Sequence, residues 1–174
     1  YMNGRLAGTH EGGYTGFNVR LTPYVKEGKN NIAVRVNNLW RGDVAPRGGE
    51  HVFSGGIYRN VRLVKKPSVH IDWYGTFVTT PTLAAHKGRS SSVRVQTDVR
   101  NMADEGGPYE LRVQVLDENR RVVAERKALR RVEAQSLAHF DLTTDEIEGV
   151  ALWHPSHPHL YLSLIHISEP TRPY

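Results

Sequence analysis

Short runs in which apolar and polar residues alternate, separated by glycine, proline or asparagine, constrain this chain more than any other feature. Residues 93–99 read Val-Arg-Val-Gln-Thr-Asp-Val and residues 111–115 read Leu-Arg-Val-Gln-Val. Period two is the spacing of a half-buried strand, whereas a helix repeats its apolar positions every three or four residues. The 16 glycines and 9 prolines fit tight turns, and no long run has helical spacing. We therefore predict an all-β chain of short strands.

The composition excludes several classes of protein. With 174 residues, 39% hydrophobic and 24% charged, the chain differs from disordered tails and from membrane proteins. No run approaches the roughly 18 apolar residues of a membrane span, so we expect no membrane partner. The absence of cysteine excludes disulfides, thiol catalysis and cysteine-bound zinc. The cellular compartment stays open, since neither a leader peptide nor a disulfide pattern indicates one.

The net charge of +5, from 17 Arg and 6 Lys, raises nucleic acid as a partner. The distribution of the charges argues against it. Arg94 and Arg100 alternate with valines, as on the hydrated face of a strand. The basic pairs lack the interleaved aromatics of a stacking platform; they are Lys65-Lys66, Arg120-Arg121 and Arg130-Arg131. We therefore predict no nucleic-acid partner.

The two ends of the chain have separate interpretations. Residues 1–6 read as a hairpin around Asn3-Gly4, and because a domain rarely begins inside a hairpin we expect further sequence upstream. Residues 162–174 resemble the translation of a transposase adapter used in sequencing libraries, so we expect them to form a tail outside the fold. Residues 166–174 should pack poorly, since Pro170 and Pro173 interrupt pairing. The alternative is a genuine final strand, because Leu162, Leu164 and Ile165 are apolar.

The patterned part divides into two predicted domains, residues 1–66 and 67–161. The first contains the alternating runs 17–21, 32–36 and 61–64, and a loop of about 20 residues, 37–56, that has no periodicity. Lys65-Lys66-Pro67-Ser68 marks the boundary, because Pro67 cannot donate to a sheet. In the second domain the predicted strands are 69–73, 93–99, 111–115 and 122–123. Their spacing is typical of an immunoglobulin-like sandwich.

Several motifs, taken together, carry a family resemblance. They are residues 2–17 (Met-Asn-Gly-Arg-Leu-Ala-Gly-Thr-His-Glu-Gly-Gly-Tyr-Thr-Gly-Phe), 21–25 (Leu-Thr-Pro-Tyr-Val), 28–36 (Gly-Lys-Asn-Asn-Ile-Ala-Val-Arg-Val) and 53–61 (Phe-Ser-Gly-Gly-Ile-Tyr-Arg-Asn-Val). They resemble the sugar-binding jelly-roll domain of glycoside hydrolase family two, although Asn60 stands where an Asp is common. The second half, ending in residues 152–161 (Leu-Trp-His-Pro-Ser-His-Pro-His-Leu-Tyr), is similar to the immunoglobulin-like domain that follows in that family.

The resemblance implies a partial, N-terminally truncated jelly roll followed by an immunoglobulin-like sandwich, both accessory to a catalytic barrel. Members of the family are β-galactosidases, β-glucuronidases and β-mannosidases that retain anomeric configuration through two barrel glutamates. The resemblance therefore implies an enzyme as parent, with a β-galactoside as the first expectation and no catalytic residue in this chain. The expected partners are a carbohydrate substrate and the barrel of the same polypeptide, with no cofactor; a homo-oligomeric parent stays open. The rival from another class is a non-catalytic carbohydrate-binding or adhesion module.

Candidate binding residues concentrate in the loop 37–56. The loop supplies an aromatic face, forked hydrogen-bond donors and hydrogen-bond acceptors, and these are the groups that recognise sugar hydroxyls. The side chains that carry them are Trp40, Arg41, Asp43, Glu50 and His51. From composition alone, a solvated insertion explains them equally well. The resemblance implies that Asp43 contacts the sugar in the innermost subsite, and the other four are inferred from their place in the same loop. We expect Asp43 to have no structural partner of its own.

Other reactive side chains are interpreted as structural. His154, His157 and His159 lie in a connector that two prolines hold extended, so we predict no metal site there. Asp104-Glu105 and Asp145-Glu146 lie in turns, and we expect them to be hydrated surface acids.

Overall fold

The structure is a computed structural model that describes residues 1–44 and 55–170. The chain divides into two compact units, Tyr1–Val64 and Lys65–Tyr174. In the described ranges, no helix is long and apolar enough to cross a membrane.

The first unit begins with the predicted hairpin turn. Met2 and Arg5 form an antiparallel bridge, and the two residues between them have positive φ, 51° at Asn3 and 79° at Gly4. This is the geometry of a two-residue hairpin turn that twists with its flanking strands, and it explains why Asn-Gly stands there. The hairpin prediction is confirmed.

The Asn3 side chain anchors this turn to the residues around Asn31. Its amide nitrogen donates to the Tyr24 carbonyl and to Asn30 Oδ1, both at 2.9 Å, and its Oδ1 accepts the Asn31 backbone N–H at 2.9 Å. Met2, buried beside it, bridges Ile32. A 3-10 helix, Thr22–Tyr24, supplies the Tyr24 carbonyl. One turn residue thus satisfies three backbone or side-chain groups.

The strand predictions for residues 17–21, 32–36 and 61–64 are wrong for the described structure. Within the described residues 1–44 and 55–64 these runs form no ladder, and their only β-bridge joins Ile32 to Met2. Most of their apolar side chains are exposed, to 55% at Phe17 and 81% at Leu63. A strand requires a partner for its N–H and C=O groups, and alternation alone does not supply one.

The described residues of the second unit, 65–170, contain ten antiparallel strands. They are β1 (Val69–Thr79), β2 (Ser90–Ser91), β3 (Arg94–Asn101), β4 (Gly107–Leu116), β5 (Val122–Val132), β6 (Leu137–Thr143), β7 (Ile147–Glu148), β8 (Trp153–His154), β9 (His157–Pro158) and β10 (Leu162–Ser168). Two three-stranded sheets, in the orders β1-β3-β6 and β10-β4-β5, are accompanied by the pairs β2-β7 and β8-β9. The all-β fold class is confirmed.

The inner faces of the two sheets share one hydrophobic core. Val95 and Val99 of β3 and Phe140 of β6 come from one sheet, and Leu111 and Val113 of β4 come from the other. Residues on β6 alternate strictly between exposed and buried. Two sheets packed face to face in this way form a β-sandwich.

The expectation that residues 162–174 lie outside the fold is wrong for Leu162–Ser168, and so is the expectation of poor packing at residues 166–168. This segment is β10, which pairs with β4 from Leu162 opposite Leu116 to Ser168 opposite Glu110. Ile165 and Ile167 pack against the core because every second residue of the strand points inward. The strand ends before Pro170, which cannot continue the pairing. Residues 171–174 lie outside the described ranges.

Candidate functional site

Three of the five predicted binding residues lie in residues 37–44, the described beginning of the long loop. The loop starts with a local turn in which Asn37 Oδ1 accepts the Leu39 backbone N–H at 3.1 Å. A second turn brings the Val44 backbone N–H to the Arg41 carbonyl at 3.4 Å. Trp40, Arg41 and Asp43 therefore project from consecutive tight turns. Asn37 is common in such turns because its side-chain oxygen accepts the backbone N–H two residues later. Glu50 and His51 lie outside the described residues.

The Arg41 guanidinium joins two carboxylates. Its Nε donates to Asp43 Oδ1 at 3.0 Å and its Nη2 donates to Asp43 Oδ2 at 2.5 Å. Its Nη1 donates to Glu11 Oε1 at 3.1 Å. The planar fork of arginine matches a carboxylate in this two-bond arrangement. The expectation that Asp43 has no structural partner is therefore wrong.

The electrostatics of this cluster keep it ionised. Hydrogen bonds from Arg41 lower the pKa of Asp43 below its usual range, and those to Asp43 and Glu11 raise the pKa of Arg41. The side chains stay accessible, with exposed fractions of 50% for Arg41, 66% for Asp43 and 72% for Glu11. Ion pairs this exposed contribute little to stability. The cluster is better suited to presenting polar groups than to holding the unit together.

Residues 10–13 supply the other side of the cluster, and the sequence analysis did not include them as site residues. The His10 ring stacks on Phe17 with centroids 4.2 Å apart, and His10 Nε2 lies 3.2 Å from Thr15 Oγ1. Tyr58 donates its hydroxyl to the Gly13 carbonyl. Glu11 is thus held between a stacked ring and a bonded glycine. The only signal for it in the sequence was its place beside Gly12 and Gly13.

Trp40 presents most of its indole to solvent. A Cβ atom placed on Gly42 would lie 3.5 Å from the Trp40 ring atom Cη2, which is an ordinary van der Waals distance. The ring therefore lies close to the loop backbone and exposes a broad face beside Arg41. An exposed aromatic face next to forked donors and carboxylate acceptors can stack on a sugar ring and bond its hydroxyls.

The second unit contains a polar cluster that the sequence analysis missed. Glu146 Oε1 accepts from His86 Nδ1 at 2.6 Å, from Ser90 Oγ at 3.0 Å and from Thr82 Oγ1 at 3.1 Å. Glu146 lies at the surface, as predicted, but its Oε1 accepts hydrogen bonds from three side chains. A hydrolytic triad needs serine and acid on opposite ring nitrogens, whereas Ser90 Oγ and Glu146 both contact Nδ1 of His86. This geometry therefore argues for a structural tie between residues 82–90 and Glu146.

The three histidines of the connector do not converge. The rings of His154 and His157 lie 6.4 Å apart between centroids, and His159 Nδ1 contacts Glu118 Oε2 at 3.3 Å. Across residues 1–44 and 55–170, no group of three or more His, Cys, Asp or Glu side chains could hold a metal ion.

Two family models match the chain. The model described as "Glycosyl hydrolases family 2, sugar binding domain" matches residues 1–67, and the model described as "Glycosyl hydrolases family 2" matches residues 69–169. The second match includes the whole of β10.

Curated relatives carry two different names. A β-glucuronidase of Formosa agariphila is 31% identical over 97% of this chain and 18% of its own length. A β-galactosidase of Thermoanaerobacter pseudethanolicus is 31% identical over 92% of this chain and 21% of its own length. A β-galactosidase of Bacteroides ovatus is 32% identical over 92% of this chain and 18% of its own length. The chain thus spans about a fifth of the length of these relatives.

A solved structure gives the same result for the fold. The Bacteroides uniformis β-glucuronidase 2 bound covalently to cyclophellitol-6-carboxylate aziridine superposes with a TM-score of 0.87 and 27% identity, over 97% of this chain and 20% of that one. The family models together match nearly all of the described residues, and the second matches more than half of the chain by itself. The chain therefore belongs to glycoside hydrolase family 2 and contains the sugar-binding and immunoglobulin-like domains of that family.

Proposed function

We propose that this chain is the accessory, non-catalytic portion of a retaining β-glycosidase that hydrolyses O-glycosidic bonds of carbohydrates. Membership of the family and the glycosidase names of the relatives support this proposal. In the family, the two catalytic carboxyl groups belong to a barrel domain. The role we assign to residues 37–56 is to shape the substrate pocket of that barrel.

The observation that carries the proposal is the Arg41 cluster with Trp40 beside it. Each Asp43 oxygen accepts one hydrogen bond from Arg41, and a carboxylate oxygen can accept a second. Those remaining positions face away from the arginine fork and are accessible to sugar hydroxyls. Arg41 thus fixes the orientation of Asp43, and Asp43 supplies the acceptor.

We propose a β-galactoside as the substrate. Arg41 supports a neutral sugar, because Asp43 and Glu11 already pair with its charge and accept three of its five N–H donors. A β-glucuronide is the second candidate, favoured by relatives of that name at the same 31% identity. Its carboxylate would approach a guanidinium that is already paired with two carboxylates, Asp43 and Glu11.

Expression of the longer reading frame that contains this segment tests the activity. Nitrophenyl β-galactoside, β-glucuronide and β-mannoside are compared as substrates at equal enzyme concentration. We expect the β-galactoside to have the highest kcat/KM. Preference for the glucuronide would overturn the proposed substrate, and a reading frame without a barrel would favour the non-catalytic carbohydrate-binding or adhesion module.

The variant Asp43→Ala tests the role of the loop in that full-length enzyme. We expect kcat/KM to fall about 10- to 1,000-fold, because sugar hydroxyls would lose a charged acceptor. Thermal stability should change little, since the Arg41 pair is exposed. Asp104→Ala is the matched control: its carboxylate contacts Gln135 Nε2 at 3.3 Å in the other unit. Equal kcat/KM for both variants would contradict a binding role for Asp43.

A further inference from the structure

A bulge interrupts the edge strand β1. Ile71 pairs with Val99 and Thr76 pairs with Thr97, so residues 72–75 occupy the place opposite the single residue Asp98. Inserted residues at a sheet edge redirect side chains and are common beside binding sites. The bulge therefore changes the direction in which the side chains of residues 72–75 point.

The backbone of the bulge is restricted at two adjacent residues. Tyr74 has φ of 52°, the left-handed region that non-glycine residues rarely adopt. A Cβ placed on Gly75 would lie 3.0 Å from the Asp98 carbonyl oxygen and 3.1 Å from that of Asp72. These neighbours are backbone atoms, so Gly75 is the residue that allows the bulge to approach β3 this closely. Backbone strain of this kind often accompanies a functional constraint.

Three aromatic side chains next to the bulge are exposed. The exposed fractions are 48% for Trp73, 80% for Tyr74 and 63% for Phe77. The rings of Trp73 and Tyr74 meet edge to face with centroids 4.9 Å apart. Single exposed apolar residues are ordinary, but a group of aromatics on one face indicates a site of interaction.

A shallow cavity of about 160 Å³ lies among these side chains. It is lined by Tyr74, Gly75, Thr76, Phe77, Gln96, Asp98 and His139. Pockets for drug-sized ligands run to about 300–1,000 Å³, so this cavity suits a single small ring and not a cofactor. The strand register explains its polar floor, because Gln96 lies opposite Phe77, and Asp98 lies opposite His139 on the outer face of the sheet.

The polar floor has unused hydrogen-bonding capacity. His139 Nδ1 contacts Asp98 Oδ1 at 2.8 Å, and Gln96 Nε2 reaches Asp141 only at 3.4 Å. Among the described residues, Asp98 Oδ2, His139 Nε2 and the Gln96 carbonyl oxygen have no hydrogen-bond partner. Planar amide, carboxylate and imidazole groups of this kind can donate to and accept from pairs of adjacent hydroxyls.

The two arginines around the cavity are each paired with a carboxylate. Arg100 pairs with Asp72 at 2.6 Å, and Arg94 pairs with Asp141 at 2.5 Å through a two-bond fork. Asp98 shares a hydrogen bond with the His139 ring. Among the described residues of this face both arginines already have carboxylate partners, so an anionic ligand would have to compete for them, and a cationic ligand would meet carboxylates that already accept hydrogen bonds. The complementary ligand is uncharged and rich in hydroxyl groups.

We propose that this face is a second carbohydrate-binding site, which takes one neutral pyranose ring of an oligosaccharide. The sugar ring stacks on Phe77 with Tyr74 beside it, and its hydroxyls bond Gln96, Asp98 and His139. A protein partner is the less suitable occupant, because burying the polar floor without matched partners would cost free energy. The site lies in the second unit and does not rest on the function proposed for Asp43.

Titration of the full 174-residue chain with β-1,4-galactotetraose tests this proposal. Chemical shifts of backbone amides are recorded by NMR. We expect saturable shifts at residues 72–77 and 96–98, with a Kd of about 1 mM. Phe77→Ala and Gln96→Ala should each raise the Kd at least about tenfold. Trp153→Ala removes from β8 an indole that is about as exposed as the Phe77 ring, and it should leave the Kd unchanged.

Further measurements check that the variants fold and distinguish binding of a neutral sugar from binding of an acidic sugar or of a second copy of the chain. Far-UV circular dichroism identifies variants that fail to fold, and Tyr74→Phe, which keeps the ring, should bind like the unaltered chain. Absence of saturable shifts at about 20 mM sugar would overturn the proposal. So would tighter binding of tetragalacturonate, or shifts that depend on protein concentration and not on sugar, since the latter would indicate contact between copies of the chain.

Discussion

At the scale of single residues, Glu146 shows how contacts between distant segments set the properties of an acid. Partial burial acts to raise its pKa, but hydrogen bonds from His86, Ser90 and Thr82 outweigh it and lower the pKa below the ordinary 4.5. An acid whose pKa is lowered in the folded state stabilises the fold above its unfolded pKa. That stabilisation is lost as the pH falls through the lower, folded value.

The variant Glu146→Gln should therefore differ from the unaltered chain in a pH-dependent way. We expect the unaltered chain to have the larger free energy of unfolding at pH 7, and the gap to close as the pH falls below 4.5. Urea unfolding at several pH values measures the gap. Glu148→Gln, which removes an exposed carboxylate of β7, is the control for the loss of one surface charge. A gap for Glu146→Gln that is constant with pH would contradict the assignment.

Thr97 is a second residue whose surroundings affect stability, because its hydroxyl is buried. It is fully buried on β3, and its hydroxyl has no hydrogen-bond partner in the described part of the chain. Thr97→Val replaces the hydroxyl by a methyl group of similar shape, and we expect a gain of about 1 kcal/mol in stability. Thr144→Val should instead destabilise, because Thr144 Oγ1 accepts the Val93 N–H at 3.0 Å and donates to the Asp145 carbonyl at 2.9 Å. Urea midpoints of both variants decide the sign.

At the scale of elements, β10 shows what turns an apolar run into a strand. Its neighbour β4 is central in its sheet, with β5 on the other side. Without β10, the backbone groups of β4 from Glu110 to Leu116 would lose their partners on that side. The pairing also carries Ile165 and Ile167 onto the core. The segment joins the sandwich because it lies next to the otherwise unpaired edge of β4 and because its apolar and polar residues alternate.

Truncation on β10 measures this contribution. Ile165→Ala should lower the free energy of unfolding by about 1–3 kcal/mol, because it leaves a gap against the core. Leu164→Ala, on the adjacent and largely exposed position of the same strand, should cost much less. Equal effects of the two variants would mean that β10 does not pack as described.

At the scale of the whole molecule, the described carboxylates whose pKa the fold shifts are unsuited to act as the general acid of a glycosidase. A general acid needs a raised pKa, and retaining enzymes place two carboxyl groups about 5–5.5 Å apart. Within the described residues, every resolved shift of a carboxyl pKa is downward; the acids are Asp43, Asp72, Asp117, Glu125, Asp141 and Glu146. Arginine bonds are the largest influence on most of them, as for Glu125 beside Arg112. Such carboxylates stay ionised and cannot deliver a proton near neutral pH.

The purified chain should therefore release no nitrophenol from nitrophenyl β-galactoside or β-glucuronide. The measurement compares it with a mock preparation at the same total protein. Turnover above the mock that Glu125→Gln or Asp72→Asn abolishes would contradict this prediction. Turnover that neither variant reduces would point to a contaminating enzyme.

The sequence by itself determined the features that depend on neighbouring residues. Alternation predicted β3 and β4, and Asn3-Gly4 predicted a hairpin turn. The family motifs and the composition of the long loop likewise needed no structure. These features were predictable because strand period, turn conformation and motif are properties of consecutive residues.

Tertiary structure decided which runs are paired and which side chains meet. Residues 17–21 alternate without a ladder, whereas Leu162–Ser168, expected to be a tail, lies against β4. Arg41 reaches Glu11 across 30 positions, and His86 reaches Glu146 across 60. The candidate sites depend on such long-range contacts. The physical reason is that alternation specifies only which side chains share a face, while a partner strand and the groups opposite it come from distant parts of the chain.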